Sequence, residues 1–285
     1  MASPLGTSRS STDLEAVIDT PGTLTVTTID SADWGVDLSG LLNLEHPKAR
    51  AAGLKDRVES IAIYFHAIQH PVRGLFLVDS GVEHKLRDAQ SDSAMAWLVR
   101  KVMHLERLKV NIDPSTYAAE HGQLVQGVFL THLHLDHVSG LPDLGDEVPI
   151  YVGRGDAEDS HFMNIFVRST INAELAGKGP LREFAFQPDA SHRFNGVLDV
   201  FGDGQLWALS VPGHTPGSIA YLARTPSGPV LMTGDASHTA WGWTNNVEPG
   251  SFSVDKPKSA ASLGQLRALC ERHPKISVRL GHQSL

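Results

Sequence analysis

The chain has 285 residues, 41% of them hydrophobic, with a formal charge of −8 and a pI near 6.0. That length and apolar content suit one large α/β domain with a substantial core, or two small ones, and the acidic balance weighs against a nucleic-acid backbone as partner. The single cysteine, Cys270, excludes an intrachain disulfide framework, and no stretch of about 18 apolar residues marks a membrane span.

The start, MASPLGTSRSSTD, is small and polar and lacks the apolar centre of a signal peptide. Residues 1–20 therefore read as a disordered tail, or as what remains after removal of a secretion or lipoprotein signal, with the folded unit at 21–285. The compartment is open: cytoplasmic by default, periplasmic if a signal was removed. Thr23–Asp30 alternates with β-branched residues and predicts a strand. Ile61–Ile68 and Gly74–Asp79 are apolar runs around His70-Pro71-Val72-Arg73-Gly74, a hairpin signal. Ser91–Leu108 has helical spacing. Val125–Leu130 and Pro149–Val152 predict short strands, and Asp156–Leu175 a helix carrying Phe162 and Phe166. Leu206–Val211, Ser218–Ala223 and Val230–Thr233 predict strands, Ser259–Glu271 a helix, and Ile276–Leu280 a last strand. Strands in both halves with helices between permit two packed sheets flanked by helices.

The most informative residues are Thr131–Gly140, THLHLDHVSG, which place His132, His134, Asp136 and His137 within six positions. Such a group repels itself and resists desolvation unless divalent cations offset both costs, and imidazole with carboxylate suits zinc or a similar metal. Three later segments have the form strand, glycine, donor: Pro212-Gly213-His214, Thr233-Gly234-Asp235 and Leu280-Gly281-His282. Seven donors exceed the needs of one tetrahedral ion and suit two ions sharing a bridge. No GxSxG motif supplies a serine nucleophile.

In this pattern the chain resembles the dinuclear metallo-β-lactamase-fold hydrolases: HxHxDH, a His in a PGHTPG-like turn, an Asp in a GD pair and a late His, in that order from about Thr23 to His282. The resemblance implies an α/β fold, a four-layer αββα sandwich of two mixed sheets flanked by helices. It implies two divalent metals, zinc first, with Mn, Fe or Co as alternatives. One would be held by His132, His134 and His214, the other by Asp136, His137 and His282, with Asp235 bridging and a hydroxide shared between them. Asp136 or Asp235 would move a proton to the leaving group. Asp79, in Leu77-Val78-Asp79-Ser80-Gly81, would support the metal loop from behind.

Departures narrow the subgroup. Asp235 stands where the Cys-ligated antibiotic-hydrolysing enzymes have their thiolate, and His134 stands where flavin-linked di-iron reductases usually carry Glu. The implied activity is hydrolysis of a small ester, a lactone such as an acyl-homoserine lactone first. Alternatives are a phosphotriesterase or phosphodiesterase-like hydrolase, a mononuclear iron persulfide dioxygenase-like oxygenase, and a silent scaffold; a processing nuclease would need an RNA-binding arm the chain does not display. His238, Trp241 (with Trp243), Phe162 and Phe166 are candidates to line the substrate pocket. The expected partner is a small molecule, without nucleic acid or membrane span, and a homodimer is left open.

Overall fold

The first twenty residues are folded, contrary to the disordered tail their composition suggests. Thr7–Arg9 forms β1, antiparallel to Val197–Asp199. Ser10 then caps the helix Ser11–Val17 in a reciprocal box with Asp13. Leu14 and Ile18, one turn apart, are fully buried and anchor it. This apolar pair was too short a signal to outweigh the polar composition around it.

The computed structural model describes residues 1–93, 97–158 and 162–285; for 90, 98, 102 and 162–167 it describes the backbone alone. β2 (Thr25–Asp37) runs past the expected Asp30 because Trp34 and Val36 prolong its buried face beyond a bulge. It pairs with β3 (Val58–His70), which turns into β4 (Gly74–Val78), the expected hairpin. The short β5 (Lys109–Val110) lies outside β2. β6 (Val125–Phe129), β7 (Ile150–Gly153) and β8 (Arg182–Phe184) extend the sheet from β4 in parallel. The result is a mixed seven-stranded sheet, ordered β5-β2-β3-β4-β6-β7-β8. β9 (Val197–Asp199), β10 (Leu206–Ser210), β11 (Ile219–Thr225), β12 (Gly228–Met232) and β13 (Ser277–Arg279) join β1 in a six-stranded sheet, ordered β1-β9-β10-β11-β12-β13.

Alternation along the strands assigns the layers. On β10, Leu206 and Ala208 face the other sheet, joining Phe76, Phe129, Tyr151 and Tyr221 in one cluster. The Phe76 and Phe129 rings stack 5.4 Å apart, and Tyr221 approaches Phe129 at 5.9 Å. Trp207 and Leu209 face outward, where Leu14, Ile18, Leu266 and Leu269 of two helices cover them. The outer face of the first sheet packs against a third cluster that includes Leu38, Leu86, Ala118 and Leu135 from shorter helices. The four-layer αββα sandwich follows.

Helices depart more from expectation than strands. Ser91–Leu108 is not one helix: within its described part, Trp97–Val102 is helical and His104 sits at φ 53°, a left-handed conformation that ends the run before the 3-10 turn Leu105–Arg107. The helix predicted from Asp156 covers Phe162–Glu174. Among the described residues, no helix is long and apolar enough to cross a membrane.

Glu174 ends that helix fully buried, and its carboxylate oxygens have no hydrogen-bond partner among the described residues. Burial raises its pKa to about 9, with Glu83 and Asp143 adding and Lys85 opposing. A carboxyl whose pKa is higher folded than unfolded favours the fold at low pH, and that contribution is lost as pH climbs from about 4.5 toward about 9. Glu174→Gln is therefore expected to raise Tm little at pH 5 and by roughly 5 °C at pH 8. A Tm difference that does not grow with pH in thermal scans would contradict this.

Candidate metal centre

All the predicted donors lie beyond the C-terminal ends of strands. β6 ends at Phe129 and the chain leaves through Thr131 into His132 and His134; Asp136 and His137 follow in the short helix Leu135–Val138. His214 sits in the turn after β10, Asp235 in the 3-10 turn Gly234–Ala236 after β12, and His282 after β13. Gly281 is needed where it stands, since a Cβ there would lie 2.2 Å from Asp235 Oδ1.

The side chains meet. His214 Nε2 lies 3.1 Å from His132 Nε2, 2.8 Å from His134 Nδ1 and 3.2 Å from Asp235 Oδ2. His282 Nε2 lies 3.2 Å from Asp136 Oδ2 and 3.3 Å from Asp235 Oδ1. His137 Nε2 is 3.4 Å from Asp235 Oδ2 and 3.7 Å from Asp136 Oδ2. Three overlapping donor groups result: His132, His134, His214 with Asp235; Asp136, His137 with His282; and Asp235, His238 with His282. Asp235 contacts members of the first two. His238 also belongs here, its Nε2 being 3.0 Å from Asp235 Oδ2.

The far nitrogens set which atoms point inward. His137 Nδ1 donates to Asp79 Oδ2 at 2.9 Å, His282 Nδ1 to the Ala62 carbonyl at 2.9 Å and His238 Nδ1 to the Leu41 carbonyl at 2.9 Å. His132 Nδ1 meets Thr131 Oγ1 at 3.1 Å, and His214 Nδ1 meets Ser253 Oγ at 3.2 Å. With the N–H turned outward, the inner nitrogens present lone pairs. Those lone pairs face carboxylate oxygens. His137 Nε2, His238 Nε2 and Asp235 Oδ1 are buried with no hydrogen-bond partner among the described residues. Acceptors facing acceptors out of water demand positive charge between them.

The titration behaviour points the same way. Burial, opposed by Asp235, brings His214 down to about 4; burial with the neighbouring imidazole of His214 brings His134 to about 3 and, with His137 and His134, holds His132 well below its usual value. These three rings are neutral donors near pH 7, the state that binds metal. Burial resists the charging of His137 and His282, yet Asp235 and Asp136 raise both above the ordinary histidine range. Burial likewise opposes ionisation of Asp235, but the imidazoles of His238, His282, His137 and His214 hold it well below the carboxylate range. The donor set fits divalent cations that accept nitrogen and oxygen ligands.

Asp79 sits behind the loop in a left-handed conformation at φ 59°. Its Oδ1 accepts from the Thr131 backbone N–H at 2.8 Å, besides the bond from His137. A cavity of about 260 Å³ opens from the donors and is lined on its other side by Trp34, Val36, Leu41, Ile61, Met103 and Phe252. His238 lines it; Trp241 does not. Trp241 and Trp243 sit on a helix, Ala240–Asn245, capped by Thr239, and pack against different clusters instead of sharing an extended face. The side chains of Phe162 and Phe166 lie outside the described residues. Sequence reasoning missed Trp34, Ser253 and the carbonyls of Leu41 and Ala62. Trp34 falls in the alternation of β2 and was within reach; a carbonyl 220 positions from the ring it orients leaves no sequence signal.

The chain is similar to proteins of known kind. The N-acyl homoserine lactonase AttM of Agrobacterium fabrum is 33% identical over 164 residues, 55% of this chain and 58% of that protein. The gamma-lactamase MBL2 of Gibberella moniliformis is 30% identical over 141 residues, 46% of this chain and 59% of that protein. The match thus spans a little over half the length of these two relatives. Among solved structures, an N-acyl homoserine lactone hydrolase with N-hexanoyl-L-homoserine at its catalytic metal centre superposes with TM-score 0.65 at 18% identity, covering 92% of this chain and 94% of that one. AidC, a dizinc quorum-quenching lactonase, superposes with TM-score 0.58 at 14% identity, covering 98% and 91%. Those likenesses establish the shared fold. Residues 66–278, which carry every donor except His282, match the Metallo-beta-lactamase superfamily, and the chain belongs to that superfamily.

Proposed function

We propose that the protein is a dinuclear metal-dependent hydrolase of small esters, with N-acyl homoserine lactones as the substrate class. The observation that carries this reading is the cavity: a polar end built from the donor cluster continues into an apolar wall, and no Lys or Arg lines it among the described residues. An amphipathic neutral substrate matches that lining. Beyond the donors, the wall offers no cationic side chain among the described residues to an anionic substrate, and the overlapping donor groups suit a metal pair better than a single iron. The lactonases among its relatives and structural neighbours support the same reading.

His132, His134 and His214 would hold one ion, Asp136, His137 and His282 the other, and Asp235 would reach both. Zinc is the first choice, in keeping with the donor types and with the neighbour described as dizinc. A pair of such cations supplies Lewis acidity toward an ester carbonyl and brings the pKa of water toward neutrality. The chain's own residues do the rest. Trp34, Val36 and Ile61 exclude water along the wall that receives the acyl chain. His238, braced on the Leu41 carbonyl, keeps its Nε2 at the polar end as an acceptor for the substrate's amide N–H. Asp136 is the more open carboxylate, its side chain 17% exposed against 4% for Asp235. Its carboxylate would therefore take up the proton given up by the attacking water and hand it to the departing ring oxygen, while Asp235 stays ionised.

Strong chelation is expected to abolish lactone hydrolysis, and Zn, Mn, Co or Fe to restore it; full turnover by a metal-free preparation would reject the proposal. Asp235→Ala is expected to lose at least one metal per chain by elemental analysis, and unchanged stoichiometry would remove Asp235 from the bridging role. Each methylene placed on the apolar wall contributes about 0.8 kcal/mol. Lengthening the acyl group from butanoyl to octanoyl should then raise kcat/KM by at least roughly tenfold. If homoserine lactones of all lengths are untouched while aryl esters, phosphotriesters or thioesters turn over, the substrate class is wrong.

A further inference from the structure

Asp156 follows β7 in the sequence Gly153-Arg154-Gly155-Asp156 and is 5% exposed. Its Oδ2 accepts from the backbone N–H of Leu133 at 2.7 Å, and its Oδ1 accepts from the backbone N–H of Gly217 at 3.1 Å. Leu133 stands between His132 and His134. Gly217 closes the turn that carries His214. One carboxylate therefore ties together the two loops, from different sheets, whose imidazole nitrogens meet at 2.8 and 3.1 Å. The backbones are pressed together at this joint. A Cβ on Gly153 would lie 1.8 Å from the Gly217 carbonyl oxygen, and one on Gly217 would lie 2.8 Å from Asp156 Cβ.

Asp79 makes the mirror arrangement. It leaves β4, the neighbour of β6 on one side, and binds the Thr131 N–H and His137. Asp156 leaves β7, the neighbour on the other side, and binds the Leu133 N–H and the His214 turn. The loop after β6 is thus held from both flanks, at alternate backbone N–H groups, by two buried carboxylates.

We propose that Asp156 is a positioning residue for the metal centre: it fixes the spacing of His132 and His134 against His214, as Asp79 fixes His137. This rests on the donor assignment above and concerns only the first group of ligands.

The test follows zinc release from the dizinc protein into excess chelator, for wild type, Asp156→Asn and Asp156→Glu, with kcat and KM for a homoserine lactone on zinc-saturated protein. Wild type is expected to lose its two ions in two phases. In Asp156→Asn one phase should quicken by about 10- to 100-fold and the other by less than about twofold. In zinc-saturated Asp156→Asn, kcat should fall while KM stays within about twofold, because Asp156 is not part of the substrate cavity wall. Asp156→Glu keeps both acceptor oxygens and should recover part of the loss. If Asp156→Asn does not fold, the same measurements on Asp156→Glu decide: selective quickening of one phase supports the proposal. Both phases unchanged, or both quickened alike, would overturn it in either variant. Wild type binding no zinc would instead sink the donor assignment, a separate failure visible before any variant is compared.

Discussion

Asp235 Oδ2 lies 3.0 Å from His238 Nε2, 3.2 Å from His214 Nε2, 3.4 Å from His137 Nε2 and 3.6 Å from His132 Nε2. Its other oxygen reaches His282. Asp136 stands on the far side of the same imidazoles. Burial resists charge on each of these groups, and the attraction of Asp235 and Asp136 for His137 and His282 works against that cost. Five of the cluster's six rings are tethered from outside, by Asp79, Thr131, Ser253 and the Leu41 and Ala62 carbonyls, to backbone that the sheets fix, while His134 Nδ1 faces His214. The same tethering leaves the inner atoms in need of positive charge. Structural support and cation affinity are therefore one property of the site.

Strand direction explains why donors so far apart in sequence arrive together. β4, β6 and β7 are mutually parallel in one sheet. In the other, β10 and β12 both run antiparallel to β11, and β13 is parallel to β12, so β10, β12 and β13 share a direction. Their C-terminal ends lie along one edge of the sandwich, and each sends a glycine-bearing loop over it. The crevice beyond the carboxyl ends of parallel strands is where ligands settle in open α/β sheets. Here two sheets contribute such ends to one place, and the aromatic layer of Phe76, Phe129 and Tyr221 keeps them in register.

Much of this was legible before any coordinates. The strands that carry donors are short, apolar and punctuated by glycine, so Val125–Leu130, Leu206–Val211 and Val230–Thr233 match β6, β10 and β12 to within two residues. Side-chain donors at fixed spacing carry chemistry in their identity, which is why His132 to His282 could be named. What escaped reading depends on tertiary context. Ser11–Val17 is a helix because Leu14 and Ile18 find Leu266 and Leu269. Trp241 and Trp243 diverge because Thr239 starts a helix beneath them. Asp156 repeats the strand, glycine, acid form of Asp235 and so did leave a trace; its role shows only when Leu133 and Gly217 are seen on its two oxygens.

The donors and part of the apolar wall come from different parts of the chain. The donors lie in loops within the family-matched stretch 66–278 or just after it, whereas Trp34, Val36, Leu41 and Ile61 of the cavity wall all precede it. Trp34 and Val36 come from β2 and Ile61 from β3, strands that contribute no donor. A change in these residues would reshape the apolar wall without moving any of the donor-bearing strand ends. The family match therefore covers most of the donor loops, and the apolar wall opposite them takes Trp34, Val36 and Ile61 from β2 and β3. Leu41 joins the two: its carbonyl orients His238, the ring beside Asp235, while the residue lines the wall.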